Sequence, residues 1–219
     1  MSIQNFETIL FDLDGTILDT APEFNYCINI LLTEKQQPAA ESELFRSTIS
    51  LGAREMVRQA FQLSHDDQNL DALLKDFLAL YISHLGQRTV FFPEMDKVIQ
   101  TLEDQNIAWG IITNKSHRYT DPLLAMFPLL QKAACVVCGD TLSTQKPDSA
   151  PLLHGLKIIN KAPHTALYIG DAKTDVEASQ NAGTKSMVAE YGYIPKNENP
   201  KHWQADFYIQ KPEQLLEIC

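Results

Sequence analysis

ALYIGDAKTDVEASQNAG, residues 166–183, reads as one strand, one turn and one helix. Ala166–Ile169 is apolar, too short for a helix and closed by Gly170, which marks a buried strand. The helix runs from about Thr174 to Ala182 and stops at Gly183, a residue suited to the left-handed backbone just past a helix end. The same alternation extends outward along the chain. Ile107–Thr113, Ala134–Val137, Ser186–Ala189 and Phe207–Ile209 read as strands. Val98, Ile99 and Leu102 mark one helix, and Leu152, Leu153, Leu156 and Ile159 mark another. Near the start, Thr8–Phe11 is a compact apolar run that ends in a turn at Gly15. The predicted fold class is therefore α/β, a Rossmann-like parallel sheet with helices on both faces. In such a sheet ligands sit beyond the carboxyl ends of the strands.

One segment does not alternate. Between Thr20 and Gln87 the apolar residues recur at helical spacing: Phe24, Cys27, Ile28 and Leu31, then Ala53, Met56, Val57, Ala60 and Phe61. The clearest stripe is Leu70, Leu73, Leu74, Phe77, Leu78, Tyr81 and Ile82. With apolar faces to bury and no strands between them, these helices should form a bundle of their own. The expected division is a core of residues 1–19 and 88–219 and a helical domain of residues 20–87.

Composition excludes some partners. Of 219 residues, 18 are Lys or Arg and 28 are Asp or Glu, a formal net charge of −10. That sign opposes nucleic acid and anionic membranes, which both need a basic footprint. MSIQNFETIL lacks the basic and long apolar stretches of a signal peptide, and no apolar run approaches ~20 residues. The expectation is a cytoplasmic protein. Cys135 and Cys138 form a lone CxxC within CVVC. A zinc or redox reading needs a second ligand pair, so buried strand thiols are the expectation.

The polar residues that follow the strands carry the chemistry. FDLDGTILDT places Asp12 and Asp14 two apart, on one face of an extended chain, ahead of a turn at Gly15. Thr113 follows in TNK. Asp171 and Asp175 lie in GDAKTD, and Lys146 lies in QKPDSAP ahead of a helix. Taken singly, each has an ordinary explanation: a turn, a strand-end threonine, a solvated lysine, an acidic first turn. Together, in this order and at these spacings, they resemble the four motifs of the haloacid dehalogenase superfamily, in its phosphoglycolate-phosphatase-like branch. The helical segment sits where that branch inserts a cap domain. The familiar WIGNG-like cap string is absent. Instead ISLGAREMV, WGIITNK and YGYIPKNENPKHWQAD look like the N-acetylmuramic acid 6-phosphate phosphatases of the branch. KPDSAP also differs, with Ser149 where proline is common.

The resemblance implies a phosphomonoesterase acting on a small phosphorylated metabolite. Asp12 would attack phosphorus, splitting a very slow hydrolysis into two easier displacements. Asp14 would protonate the leaving oxygen and then take a proton from water. Several aspartates would repel a phosphate dianion, so Lys146 and a divalent cation must balance them. Oxygen ligands and phosphate favour Mg²⁺. Asp12, the Asp14 backbone carbonyl and Asp171 would hold that ion, with Asp175 in support. Thr113 and neighbouring backbone N–H groups would hold the phosphoryl oxygens. Gly52, Arg54 and Asn114 are the candidate substrate contacts, Arg54 for a carboxylate or hydroxyls. Two alternatives use the same fold: a sugar phosphomutase, and a non-catalytic binding module that would be expected to have lost one of the motif residues.

Overall fold

The computed structural model describes residues 6–40 and 46–216. In chain order the elements begin with β1 (Thr8–Phe11), β2 (Leu18–Asp19), α1 (Ala21–Glu34), α2 (Ala53–Ala60), α3 (Leu70–His84) and β3 (Val90–Phe91). There follow α4 (Met95–Asp104), β4 (Ala108–Ile112), α5 (His117–Ala125) and β5 (Cys135–Val137). The chain continues through α6 (Ala150–Ile159), β6 (Ala166–Gly170), α7 (Lys173–Ala182), β7 (Lys185–Ala189) and β8 (Phe207–Ile209).

Two compact units result, Met1–Asp19 with Phe91–Cys219, and Thr20–Val90. The larger unit holds a six-stranded sheet in the order β5-β4-β1-β6-β7-β8, every recorded pair parallel. The first strand, β1, is thus central. It is buried along its whole length, as an apolar run in a sheet covered on both faces must be. One face packs Leu10, Ile112, Val137 and Tyr168 against Leu152 and Leu156 of α6 and Ala178 and Ala182 of α7. Gly183 closes α7 with φ +76°, the left-handed stop expected from the sequence.

The sequence reading omits α5. Pro122 lies inside that helix and its apolar face is short, with Leu123 and Leu124 buried, so neither periodicity nor composition announces it. The cysteines behave as buried thiols. Burial pushes Cys27 and Cys135 up to about 12 and Cys138 up to about 11. Cys219 lies outside the described residues.

The smaller unit is helical. Phe24 of α1 stacks on Tyr81 of α3 at 4.5 Å between ring centroids and faces Phe77 at 6.4 Å. The α3 stripe is buried chiefly through Leu70, Phe77 and Tyr81. Among the described residues, no helix is long and apolar enough to cross a membrane.

Candidate active site

Parallel pairing in register brings the motifs to one edge. Phe11 of β1 lies level with Ile111 of β4 and Ile169 of β6. Asp12 follows the last residue of β1, Thr113 that of β4 and Asp171 that of β6, so the three leave the sheet at one edge. Asp12 N–H still donates to Ile169 O at 2.8 Å, and Thr113 N–H to Val137 O at 2.9 Å, so both are anchored by the sheet itself.

The next turn is tight. Leu18 and Ile17 both donate to Leu13 O, and Gly15 takes φ +87°. A Cβ at Gly15 would collide with the Asp171 carboxylate, and one at Gly192 would strike both Asp171 and Gly15 O. Two glycines thus let two loops close on one aspartate. Tyr193 N–H donates to Asp171 Oδ2 at 2.6 Å, while Tyr191 Oη donates to Thr16 O at 3.0 Å. Sequence reasoning missed this clasp; residues 191–193 obey no spacing rule relative to Asp171.

Lys146 is the centre of the site, with a side chain only 3% exposed. Its ammonium donates to Asp175 Oδ1 at 2.7 Å, Tyr168 Oη at 2.8 Å and Ile112 O at 3.0 Å. An ammonium has three hydrogens, and all three are taken. Asp12 Oδ1 lies 2.9 Å from the same nitrogen, yet makes no hydrogen bond. The two facts agree: the contact is ionic, and the Asp12 lone pairs are left over. Asp175 is fully engaged, since its Oδ2 accepts the Ala172 N–H at 2.9 Å where α7 begins.

Electrostatics follow from burial. Burial pushes the Asp12 carboxyl up to about 6, with Lys146 pulling down and Asp175 pushing up. Burial, then Asp12 and Asp175, hold Asp171 well above the usual carboxylate range. Burial alone would lower Lys146, but Asp12 and Asp175 overcome it and raise it. Asp12, Asp171 and Asp175 offer carboxylate oxygens within 4.8 Å of one another. Three buried carboxylates against one ammonium leave an excess of two negative charges. An all-oxygen donor set with that excess fits a hard divalent cation.

Two residues were not singled out from the sequence. Lys115 Nζ lies 3.1 and 3.2 Å from the two Asp14 oxygens, with the lysine side chain 7% exposed. Tyr168 looks like a core aromatic of β6, but its hydroxyl sits between Lys146, Asp175 and Ile112 O. Tyr168→Phe should strand one ammonium hydrogen in the interior and lower stability by about 1–3 kcal/mol, read as a fall in unfolding midpoint. An unchanged midpoint would mean that water replaces the hydroxyl.

Asn114 holds the Lys146 backbone. Its amide donates to Lys146 O at 3.0 Å and its carbonyl accepts Lys146 N–H at 3.1 Å. Through these two bonds Asn114 joins the β4 loop to the Lys146 loop. Gly52 and Arg54 belong to the helical unit. Gly52 takes φ +87° ahead of α2, and Arg54 pairs with Asp71 at the surface.

Comparison with known proteins gives the family. The family described as "Haloacid dehalogenase-like hydrolase" matches residues 9–189. The chain belongs to the haloacid dehalogenase-like hydrolase family. It is 35% identical over 210 residues to an N-acetylmuramic acid 6-phosphate phosphatase of Pseudomonas putida, covering 96% of this chain and 94% of that relative. It is 36% identical over 210 residues to a phosphoglycolate phosphatase of Xanthomonas campestris, covering 95% and 94%. In fold it is similar to the crystal structure of a predicted phosphoglycolate phosphatase from Haemophilus somnus, with a TM-score of 0.85 and 23% identity over 98% of both chains.

Proposed function

We propose that this chain, a phosphoric monoester hydrolase of the haloacid dehalogenase-like family, dephosphorylates a small metabolite through a covalent phosphate on Asp12. The observation that carries the reading is Asp12 Oδ1, buried beside an ammonium that has no hydrogen left to give it. Such an oxygen keeps its lone pairs for an electrophile and is held still while it uses them.

Lys146 is the fixed charge that keeps Asp12 ionised, positioned by Asn114, Tyr168 and Asp175. Asp14 handles the proton on the ester oxygen, and Lys115 places a second ammonium beside it. Thr113 and the following loop N–H groups face the phosphoryl oxygens. Asp12, the Asp14 carbonyl and Asp171 would hold Mg²⁺, with Asp175 in support; the ion offsets charge and polarises the phosphoryl group. Buried thiols and a free metabolite as substrate suit a cytoplasmic enzyme.

For the substrate, the strings ISLGAREMV and YGYIPKNENPKHWQAD and the Pseudomonas relative favour N-acetylmuramic acid 6-phosphate. The Xanthomonas relative makes phosphoglycolate the necessary control. Phosphate release should be measured on both esters and on common sugar phosphates, with Mg²⁺ and then with excess chelator. Expected are turnover that chelator removes and Mg²⁺ restores, and the highest kcat/KM on N-acetylmuramic acid 6-phosphate. Full activity in chelator would overturn the metal reading; preference for phosphoglycolate would overturn the substrate.

The helical unit is the expected cap, and Arg54 its expected selector. The Arg54–Asp71 pair is exposed, so breaking it should change stability by less than about 1 kcal/mol. If Arg54 instead pairs with a substrate carboxylate, Arg54→Ala should cost about 10- to 150-fold in kcat/KM on the natural ester. It should spare p-nitrophenyl phosphate, which has no carboxylate. Equal losses on both esters would assign Arg54 to the fold or the phosphoryl group.

A further inference from the structure

The CVVC stretch lacks a second ligand pair in the sequence, but the fold supplies one. Cys138 follows β5 and lies near the first turns of α5, where His117 and Asp121 stand four residues apart on one face. One nitrogen of His117, one oxygen of Asp121 and the sulfur of Cys138 all lie within 4.8 Å of one another. Cys135 takes no part; it faces Gly110 and Gly155 in the core.

We propose that His117, Asp121 and Cys138 form a binding site for a zinc-class divalent cation, separate from the catalytic carboxylates. The donor set is nitrogen, oxygen and sulfur, which suits a borderline-soft ion and not Mg²⁺. His117 Nδ1 and Asp121 Oδ1 are already 3.1 Å apart, close to the roughly 3.3 Å between two such ligands on tetrahedral zinc. Drawing in the sulfur asks about 1 Å of movement, and both partners that must move are surface side chains: His117 is 44% exposed and Asp121 65%.

The surroundings match a ligated histidine. His117 Nε2 lies 2.9 Å from Thr141 Oγ1, so with Nδ1 on a metal the other nitrogen donates to that hydroxyl. The same hydroxyl accepts the Cys138 N–H at 2.8 Å and ties the two ligands together. Asp140 accepts the His117 backbone N–H at 2.8 Å and brings a further carboxylate to the cluster. Burial raises the Cys138 thiol, its hydrogen bond with Thr120 lowers it, and the nearby Asp121 and Asp140 carboxylates raise it; a bound cation would offset those two charges. Binding replaces the thiol proton by the metal, releasing that proton to water; no oxidant is involved.

The site sits directly behind the Thr113–Lys115 loop. Lys115 O accepts Gly139 N–H at 2.9 Å and the Thr120 hydroxyl at 3.3 Å. An ion joining α5 to the end of β5 would therefore fix the backbone from which Lys115 reaches Asp14.

The test uses the full chain, stripped of metal and saturated with Mg²⁺, then titrated with Co²⁺ as the probe. Mg²⁺ occupies the carboxylate cluster, and that cluster offers only oxygen. A sulfur-to-cobalt charge-transfer band should grow in at one Co²⁺ per chain and vanish on adding Zn²⁺. Cys138→Ser should remove the band. His117→Ala and Asp121→Ala, both surface changes that leave the buried thiol in place, should each weaken Co²⁺ binding at least about 100-fold. No band in the parent protein would overturn the proposal. A band that survives in His117→Ala with unchanged affinity would show that His117 is no ligand and overturn it equally.

Discussion

Asp12→Asn is expected to abolish turnover while leaving the metal-free protein as stable as the parent or more so. The catalytic half follows from chemistry. A carboxamide does not form the acyl phosphate, so covalent labelling by beryllium fluoride should disappear with activity. The stability half follows from burial. Asp12 is pushed up to about 6 in the fold from its ordinary 3.8, first by burial and then, despite Lys146, by Asp175. That rise opposes the ionised form by about 3 kcal/mol at neutral pH. The sign runs one way: a raised carboxyl favours folding below its unfolded value, and that advantage is lost as pH rises through the folded one. The neutral amide escapes this cost, although it gives up its attraction to Lys146. In chelator at pH 7, Asp12→Asn should therefore unfold at an equal or higher temperature, by about 1–3 kcal/mol at most. Near pH 4 the difference should vanish. Mg²⁺ should then stabilise the parent more than the variant. Turnover near that of the parent would sink the nucleophile, and a stability loss at pH 7 would show that the Lys146 contact outweighs burial.

What could be read from the sequence, and what could not, divides along physical lines. Strands β1 and β6 and helix α7 announce themselves because local rules govern them: an apolar run, a glycine stop, an acidic first turn. Asp12, Asp14 and Asp171 follow because a parallel sheet delivers its strand ends to one edge. Tyr168 is different. Its place in ALYI is that of a core aromatic, and only the packing of β6 against α6 and α7 reveals that its hydroxyl meets Lys146. Lys115 reads as a solvated loop lysine until β4 is laid beside β1, which brings it to Asp14. Asn114 sits where a ligand contact would be, yet the Lys146 backbone, 32 residues on, claims both ends of its amide. The roles that escape a sequence reading are those whose partners are distant in sequence, where spacing carries no information.

Lys146→Met should be the most damaging change to the free protein as well as to catalysis. Methionine fills similar space, so packing is largely kept. What is lost is the positive charge and three donors, leaving Ile112 O, Tyr168 Oη and Asp175 Oδ1 without the ammonium. Asp12 and Asp175 would then face each other buried and unbalanced. Removing one member of a buried ion pair typically costs about 3–5 kcal/mol, and that is the expected loss at pH 7 without metal. The loss should shrink as pH falls, because Asp12, already raised, takes up a proton and its repulsion with Asp175 disappears. Catalysis should fall by about 10²–10³-fold or more in kcat, since the charge beside the nucleophile is gone. A double-mutant cycle separates the two contributions. In the Asp12→Asn background the repulsion is already absent, so adding Lys146→Met should cost clearly less stability than it does alone. Equal costs in both backgrounds would mean that Lys146 supports the fold through Ile112, Tyr168 and Asp175 alone, and that its proximity to Asp12 is not what holds the carboxylate in the site.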